Sequence, residues 1–378
     1  MSGGPSARDG SPARLRVGLL ITARGWRGSG EAFGKIARAL ADRGHETCLV
    51  TASSVVTERL AAAGLPVRRL ELRHTGLAEA RRLYAFLGRF RPDALLADSE
   101  RDLRLAALAS LLPYRLVYRY NVTTPRARVH VGNRLALRRV AAVVFQSAYL
   151  EEKALRHVPG LARPPRYRIP NGFDVKRFAP APAAGAAFRR AWGIPGEAAV
   201  ALTSAQFFPE KNHELVFRAL RHGIPIDRPL VYVLCGMGPL EDRLRAAAAG
   251  LPVRTVFTGQ LPSDELVGAL NAADVVVHPC AVESFPNAVG EAMGCGRAIV
   301  GIDAGGTPEL LGRGGDTGVL VPPDDPAALA GALGELLADP ARRERLGTAA
   351  RARLVAGFSL ERMGERYEAM LRDVVDPP

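Results

Sequence analysis

The sequence predicts an α/β protein built from two doubly wound domains that face each other across a cleft. Short apolar runs typical of buried parallel strands alternate with helical patterns along most of the chain. A stretch rich in proline, glycine and alanine, residues 163–185, interrupts this alternation, which then starts again. The length of 378 residues also favours two domains, because single cores seldom exceed about 250–300 residues.

The first half begins with a strand, a glycine-rich turn and a helix. The predicted strands of this half are LRVGLLI (15–21), HETCLVT (45–51), DALLAD (93–98), LVYRY (116–120) and AAVVFQS (141–147). The turn RGWRGSG matches neither GxGxxG nor a P-loop. Its residues Gly28, Ser29 and Gly30 predict only that the backbone comes close to a ligand or to another part of the chain near a helix N-terminus. A tight turn without a ligand explains them equally well.

The second half repeats the pattern after the linker-like stretch. Its predicted strands are AAVALTSA (198–205), LVYVLCG (230–236), RTVFTG (254–259), DVVVHPC (274–280), RAIVGID (297–303) and TGVLVP (317–322). An amphipathic helix, residues 358–375, follows without a further strand. We therefore divide the chain into a disordered tail (1–14), a first domain (15–168), a second domain (169–355) and a C-terminal helical segment (356–378).

Charge and cysteine content limit the class of protein. Residues 1–170 contain 30 Lys and Arg against 13 Asp and Glu, whereas the remainder is mildly acidic. A basic half suggests an anionic partner such as membrane lipid, acidic glycan or nucleic acid, and interleaved aromatic residues that would favour nucleic acid are lacking. Four scattered cysteines, no long apolar run and no signal-peptide core predict a cytoplasmic protein with reduced thiols. The basic first half allows peripheral contact with the inner face of the membrane.

Chemistry-bearing residues of the second half follow predicted strands. Lys211, in PEKN, stands near the start of a helix, where it helps to hold an anion. Gly236 and Gly238 follow another strand and permit close approach of a ligand. Because the carboxyl ends of parallel strands share one edge of a sheet, we expect these residues to meet in the cleft.

Two glutamates, Glu283 and Glu291, flank a predicted helix start in ESFPNAVGEAMGCG. Pro286 suits a first helical turn, so Glu283 belongs to the preceding loop and Glu291 to the helix. A carboxylate suits a vicinal diol, since it accepts two hydrogen bonds at once. A hydrolase acid/base pair is the alternative, but a separation of roughly 10–12 Å along the axis favours two distinct contacts.

The order of these motifs resembles the donor-binding domain of retaining glycosyltransferases of family 4, which have the two-Rossmann GT-B fold. The matching segments are IPNGFD, PEKN, CGMGPLEDRL, FTGQLPSDELVGALNAADVVVHP, the Glu283–Glu291 unit and DAGGTPEL, over about residues 169–325. The first half is similar more loosely, through GSGEAFGKIARALADRGHE. The final helix resembles the segment that crosses back to the first domain.

The resemblance implies a role for each matching residue. Lys211 would hold the donor diphosphate, Glu291 the ribose, and Glu283 the transferred sugar. The amides and side chains of the helix start would assist Glu283, namely Ser284, Phe285, Pro286 and Asn287. Gly28, Ser29 and Gly30 would approach the diphosphate, and Gly236 the base. No metal or other cofactor is implied, and the sequence contains no DxD.

Two positions depart from the family pattern. Gln206 stands where the family usually has arginine before the lysine, and it brings no charge to a diphosphate. Asn121 stands where a histidine is common after the fourth strand, and we place it among the catalytic candidates with Lys211 and Glu283.

The predicted function is sugar transfer, with retention, from a nucleotide diphosphate sugar to a glycan or lipid-linked acceptor of the cell envelope, such as lipopolysaccharide. The alternatives are a degenerate sugar- or nucleotide-binding protein without activity, a sugar-nucleotide epimerase, or a glycan phosphorylase on a similar scaffold. The composition given above does not favour nucleic acid as a partner.

Overall fold

The computed structural model describes residues 13–23, 25, 28–121 and 131–376, and side chains are described from residue 30 onward in the first helix. The tail prediction therefore lies almost wholly outside the described residues, and the surroundings of Gly28 and Ser29 are not described either. Within the described part, the chain forms two parallel sheets, each with helices on both faces.

The first sheet is built from residues of the first half. Its strands are β1 (Arg16–Ile21), β2 (Glu46–Thr51), β3 (Val67–Arg69), β4 (Ala94–Ala97), β5 (Arg115–Tyr120), β6 (Val140–Phe145) and β7 (Arg166–Arg168). Its helices are α1 (Gly28–Asp42), α2 (Ser54–Ala62), α3 (Leu77–Phe90), α4 (Glu100–Leu108), α5 (Val131–Leu137) and α6 (Ala148–His157).

The second sheet follows after the linker-like stretch. Its strands are β8 (Ala199–Ser204), β9 (Leu230–Cys235), β10 (Arg254–Gly259), β11 (Val275–His278), β12 (Ala298–Ile302) and β13 (Val319–Val321). The helices of this half are α7 (Pro182–Ala191), α8 (His213–His222), α9 (Glu241–Ala248), α10 (Ser263–Ala272), α11 (Asn287–Gly294), α12 (Thr307–Leu311), α13 (Pro326–Ala338), α14 (Pro340–Phe358) and α15 (Leu360–Val375).

The two sheets share one topology. The strand order is β3-β2-β1-β4-β5-β6-β7 in the first and β10-β9-β8-β11-β12-β13 in the second, and all pairs are parallel. In each sheet the order reverses beside the central strand, between β1 and β4 and between β8 and β11. Ligands bind outside the carboxyl ends of the strands at such switch points. The predicted pair of doubly wound domains is confirmed.

Two short edge strands escaped the sequence analysis. β3 (VRR) and β7 (RYR) pair at the outer edges of the first sheet, and most of their side chains are exposed or half-buried. An edge strand with polar side chains leaves no apolar run in the sequence, since burial is what creates that signal. β7 and the start of α7 both fall inside the stretch predicted as linker.

The chain crosses between the two halves twice, at one place. The amide of Phe173, on the outgoing crossing, donates to the carbonyl of Phe358 at 2.8 Å, and the amide of Leu360 donates to the carbonyl of Phe173 at 3.0 Å. Ser359 ends α14 and caps α15, accepting from the amide of Arg362. The predicted terminal helix, residues 358–375, is thus α15, which begins at Leu360 and is separated from α14 by Ser359.

The last helix, α15, returns to the first half, as predicted. Met363, Tyr367 and Leu371 are buried in one core with Phe33 and Ile36 of α1. Hydrophobic burial of α15 therefore stabilises the return of the chain to the first half, in addition to the backbone hydrogen bonds at the crossing.

Phe173 also lies against α11. A methyl group at Gly290 would stand 2.1 Å from the Phe173 ring, so glycine is what allows the ring to lie there. Phe285 stands next to Phe173, and Phe358 next to Phe285, at ring-centroid separations of 6.0 and 5.9 Å. The crossing is therefore packed directly beneath the helix that carries Glu291.

Gly290→Ala is expected to lower the free energy of unfolding by about 1–3 kcal/mol, because the added methyl overlaps the Phe173 ring. Gly331→Ala is the matched control. Gly331 is an exposed residue within α13 with open space around it, so alanine there should stabilise by about 0.5–1 kcal/mol. Urea denaturation measures both, and a Gly290→Ala protein as stable as the parent would contradict this account of the crossing.

Candidate active site

A cavity of about 690 Å³ lies between the two halves, at the carboxyl edge of the second sheet. Its wall includes seven residues that the sequence analysis singled out: Gly30, Gln206, Lys211, Gly236, Glu283, Asn287 and Glu291. A second cavity of about 380 Å³ adjoins it, sharing Lys211, Glu283 and Asn287. The second cavity is also lined by Asn121, Ser284 and Phe285. The geometry thus brings most of the predicted strand-end residues together at the cleft, whereas Gly238 lines neither cavity.

Lys211 reaches the cavity from a short turn rather than from a helix. A 3-10 turn, Pro209–Lys211, follows β8, and Asn212 in the left-handed conformation leads into α8. The ammonium forms an ion pair with Glu283, Nζ to Oε2, at 3.1 Å. Burial disfavours the charged ammonium, but Glu283, with Cys280 and Glu210 adding to its effect, outweighs burial, so the pKa of Lys211 is raised. A permanent cation therefore faces both cavities.

Glu283 lies in a cluster with His278 and Cys280. His278 Nε2 is 3.6 Å from the Glu283 carboxylate, and burial lowers the pKa of this imidazole, so it is neutral at neutral pH. The Cys280 thiol donates to the carbonyl of Glu210 at 3.0 Å. Ligand atoms of these three side chains lie within 4.8 Å of one another and could hold a metal ion. The Lys211 ammonium already supplies positive charge at this place.

The thiols of the chain are all held protonated. Burial raises the pKa of Cys48 to about 11 and that of Cys235 and Cys295 to about 12, and it also raises the pKa of Cys280. No disulfide links the four cysteines.

Glu291 differs from Glu283 in its surroundings. It lies on α11, one turn beyond the start, and burial raises its pKa to about 7. Lys35 of the first half acts against this shift, while Glu31 and Glu283 add to it. The carboxyl group therefore titrates near neutral pH, and the two acids of the unit are not equivalent.

The loop before α11 is held in place from behind. The amide of Gly306 donates to the carbonyl of Glu283 at 2.8 Å, and a methyl group at Gly306 would stand only 2.0 Å from the Ser284 carbonyl oxygen. This is the structural role of the glycine pair in DAGGTPEL. Phe285 turns its ring into the core and only its backbone remains for a ligand, while Pro286 precedes the first helical residue.

Gly236 closes the floor of the larger cavity. A methyl group there would stand 2.0 Å from the carbonyl oxygen of Ala205, so no side chain fits at this position. Gln206 lines the same wall, with an exposed side chain.

Asn121 belongs to a buried polar network in the first half. Its side-chain amide donates to Asp98 at 2.7 Å, and Arg119 donates to the other oxygen of that carboxylate at 2.5 Å. Arg119 also donates to Asn171 at 2.9 Å, and Asn171 contacts Asn287 at 3.5 Å. The network connects the first half, the outgoing crossing and the start of α11.

Several cavity residues were missed by the sequence analysis. Glu31, Lys35 and Arg38 of α1 face the second half, and Lys35 pairs with Glu31 at 2.7 Å. A signal was present, since Gly30, Gly34 and Arg38 repeat every four residues and so share one face of the helix. The surroundings of Gly28 and Ser29 are not described, so the predicted role of these residues stays a prediction.

Comparison with known proteins gives the class. Residues 27–172 match the glycosyl transferase 4-like domain, and residues 186–353 match glycosyl transferases group 1. Among solved structures, a glycosyltransferase from Rickettsia africae has TM-score 0.84 at 15% identity, covering 97% of this chain and 100% of that one. HepE from Anabaena, in complex with UDP, has TM-score 0.81 at 21% identity, covering 95% and 100%. These likenesses establish the GT-B fold.

Sequence relatives narrow the class to a family. The 2-deoxystreptamine N-acetyl-D-glucosaminyltransferase of Streptomyces fradiae is 30% identical, with 88% of each chain covered. A GDP-mannose-dependent monoacylated phosphatidylinositol monomannoside mannosyltransferase of Corynebacterium glutamicum is 30% identical over 64% of this chain and 65% of its own. A related mannosyltransferase of Mycolicibacterium smegmatis is 33% identical over 60% and 58%. The chain thus spans somewhat under two thirds of these two mannosyltransferases. It belongs to the glycosyltransferases of the family 4 type.

Glu291 predicts a pH dependence of stability. Its pKa of about 7 lies above the unfolded value of 4.5, so the native state binds this proton more tightly. The free energy of unfolding that the group contributes is present below pH about 4.5 and is lost as the pH rises through about 7. The difference in free energy of unfolding between the parent and Glu291→Gln, measured by urea denaturation, should therefore shrink as the pH rises across that range. Glu344→Gln, at an exposed site, is the control for the loss of a carboxyl group. A constant difference would rule out the raised pKa.

Proposed function

We propose that this protein transfers a sugar from a nucleotide diphosphate sugar to a hydroxyl group of a glycan or lipid-linked acceptor. The observation that supports this most directly is the placement of Lys211, Glu283 and Glu291 on the wall of one cavity at a switch point of the second sheet. A cavity of about 690 Å³ lies within the range of small-molecule and cofactor sites, about 300–1,000 Å³.

Each of these residues has a proposed role. Lys211 holds the diphosphate, since its ammonium stays charged. Glu291 accepts hydrogen bonds from the ribose diol. Glu283, with the backbone at the start of α11, holds the transferred sugar in the adjoining cavity. Gly236 leaves room for the base, and Gly30 lets the first half approach the diphosphate.

The first half supplies positive charge in addition to that of Lys211. Gln206 brings no charge to the cavity, but Lys35 and Arg38 of α1 line it from the opposite side. We assign to them part of the neutralisation of the donor diphosphate. This arrangement makes donor binding depend on both halves and lets the cleft close around the donor.

The reaction is proposed to proceed with retention and without a metal ion. Charge develops on the leaving diphosphate, and Lys211 stabilises it there in a partly desolvated site. The diphosphate then takes the proton from the acceptor hydroxyl on the same face of the sugar. Asn121, fixed by Asp98, lines the adjoining cavity and is placed to orient the sugar or the acceptor.

The acceptor is proposed to enter against the first half. The names of the relatives include a phosphatidylinositol mannoside for two mannosyltransferases and 2-deoxystreptamine for the Streptomyces fradiae enzyme. A lipid-linked acceptor agrees with the two mannosyltransferases. Such an acceptor would place the protein at a membrane surface. No helix among the described residues is both long and apolar enough to span a bilayer. Family membership does not favour the epimerase, phosphorylase and non-catalytic alternatives.

The donor can be identified by a thermal-shift screen of nucleoside diphosphates and their sugars, with GDP-mannose and UDP-glucose first. A donor at 100 times its Kd should stabilise the protein by about 2.7 kcal/mol. Glu291→Ala should need a higher concentration for the same shift. A protein that responds to none of these compounds would refute the proposed function.

Lys211→Ala should lower kcat by about 100- to 1,000-fold, by analogy with the loss of one oxyanion-hole donor. Lys211→Met, which keeps most of the side-chain length, should behave similarly, and Lys176→Ala, at an exposed site, is the matched control. Steady-state kinetics at saturating donor provide the measurement. A kcat equal to that of the parent would remove Lys211 from the chemistry.

A further inference from the structure

Three neighbouring helices of the first half expose large apolar side chains to solvent. The exposed fraction is 77% for Leu77 and 84% for Leu111, and it is 67% for Val131 and 55% for Leu135. Buried residues of the same helices, among them Leu83, Leu103 and Leu137, form the core beneath them. The exposed residues are therefore not needed for that core and form a second, outward-facing apolar set.

Arginines alternate with these residues at helical spacing. On α3 the outward stripe is Leu77, Arg81 and Tyr84. On α4 the half-buried Arg104, which also donates to Asn133, precedes the exposed Leu108, and Leu111 follows just past the helix end. On α5 the stripe is Val131, Arg134 and Leu135, continued by Arg138 just past the helix end. Residues three, four and seven apart share one helix face. Each helix therefore presents a stripe that is both apolar and basic, and we name the three stripes together the Leu/Arg surface.

The three stripes are neighbours in space. α4 packs against both α3 and α5. A groove of about 490 Å³ is lined by Leu108 and Leu135, with Arg104 and Arg139 on its walls, and Thr75 just before α3. The Leu/Arg surface is therefore continuous across the helices.

Carboxylates contribute little to this surface. Glu79 of α3 is buried and accepts from the amide of His74, and Asp102 of α4 is buried and accepts from the amides of Thr22 and Ser99. Glu100 lies 4.0 Å from Arg104. Within the described part of the chain, no carboxylate forms an ion pair with Arg81 or Arg138.

We infer that the Leu/Arg surface docks the protein on a bilayer rich in anionic phospholipid, with the arginines on lipid phosphates and the leucines among the acyl chains. Basic residues beside apolar ones on a helix face are the pattern of helices that lie in a membrane interface. Charge complementarity favours lipid over a second copy of the chain, because two such surfaces would bring arginines against arginines.

The position of the surface suits an acceptor held in a membrane. In a parallel sheet each helix begins at the carboxyl edge from which the preceding strand emerges, and this edge faces the cleft. Leu77 and Val131, the first residues of α3 and α5, therefore lie on the cleft side of the surface. Docking would bring the mouth of the cleft near the lipid headgroups. The inference itself does not depend on which donor is bound, or on whether one is.

Vesicle sedimentation of the full-length protein tests this inference. The parent should bind vesicles of phosphatidylcholine with phosphatidylglycerol, bind phosphatidylcholine alone weakly, and release with salt. A basic residue near an anionic surface contributes about fivefold in affinity, so Arg81→Glu with Arg138→Glu should lower binding by at least about tenfold. Leu77→Ser with Leu108→Ser and Leu135→Ser should also cost at least about tenfold, because apolar burial is lost.

Matched variants place the same changes elsewhere. Arg190→Glu with Arg345→Glu gives the same net charge on exposed sites of the second half, and Val55→Ser with Val355→Ser removes exposed apolar groups outside the Leu/Arg surface. Both should bind vesicles like the parent. Equal losses in these controls, or a parent that ignores anionic vesicles at low salt, would overturn the inference.

Two further measurements distinguish docking on a membrane from contact with a second copy of the chain. Size-exclusion chromatography with light scattering shows whether the leucine variant changes the oligomeric state. A dimer that becomes monomeric while vesicle binding persists would assign the surface to a second copy and refute the membrane role. Thermal shift by nucleotide sugars should be unchanged in all variants, which verifies that each variant is folded.

If the parent binds vesicles but its thermal stability responds to no nucleotide sugar, the proposed function is refuted and the membrane-docking inference is still supported.

Discussion

The double crossing at Phe173 is the constraint on which the rest of the structure depends. The backbone hydrogen bonds between Phe173, Phe358 and Leu360 tie the two connections together, and the Phe173 ring fills the space that Gly290 leaves on α11. The helix that carries Glu291 is therefore packed against the only two connections between the halves that the described residues contain. Because of this contact, the separation of the two sheets and the position of the candidate donor site are set together.

The electrostatics of the cleft follow from the different neighbours of its two acids. Both are half-buried, but Glu283 is paired with a lysine, whereas burial, with Glu31 and Glu283 adding to it, raises the pKa of Glu291. Two carboxyl groups on one structural unit can therefore hold different parts of a ligand, one from beside a lysine and one as a group near its titration point. Positive charge comes from Lys211 on one side and from Lys35 and Arg38 on the other, so a diphosphate would be enclosed rather than held from one wall.

Local pattern was enough to predict the fold and the cluster of Lys211, Glu283 and Glu291, because each follows an apolar strand or stands at a helix start. It was not enough for Lys35 and Arg38. Their helix was predicted, but what faces it depends on the crossing, which no local spacing encodes. Arg119 could be predicted only in part. An arginine inside the apolar strand β5 requires a buried partner, but the sequence does not show that its partners are Asp98 and Asn171. The roles of the individual site residues in binding and catalysis stay predictions.

The protonated state of the four thiols has a practical consequence. The thiolate is the form that air oxidation and alkylating reagents attack, and a raised pKa leaves almost none of it at neutral pH. The folded protein should keep without added reductant, and reagents such as iodoacetamide should label it slowly. Cys280 is the thiol to follow, because it lies on the wall of the adjoining cavity although only 2% of the residue is exposed. Its rate of modification therefore reports how accessible that wall is to a reagent, without a substrate or an attached probe.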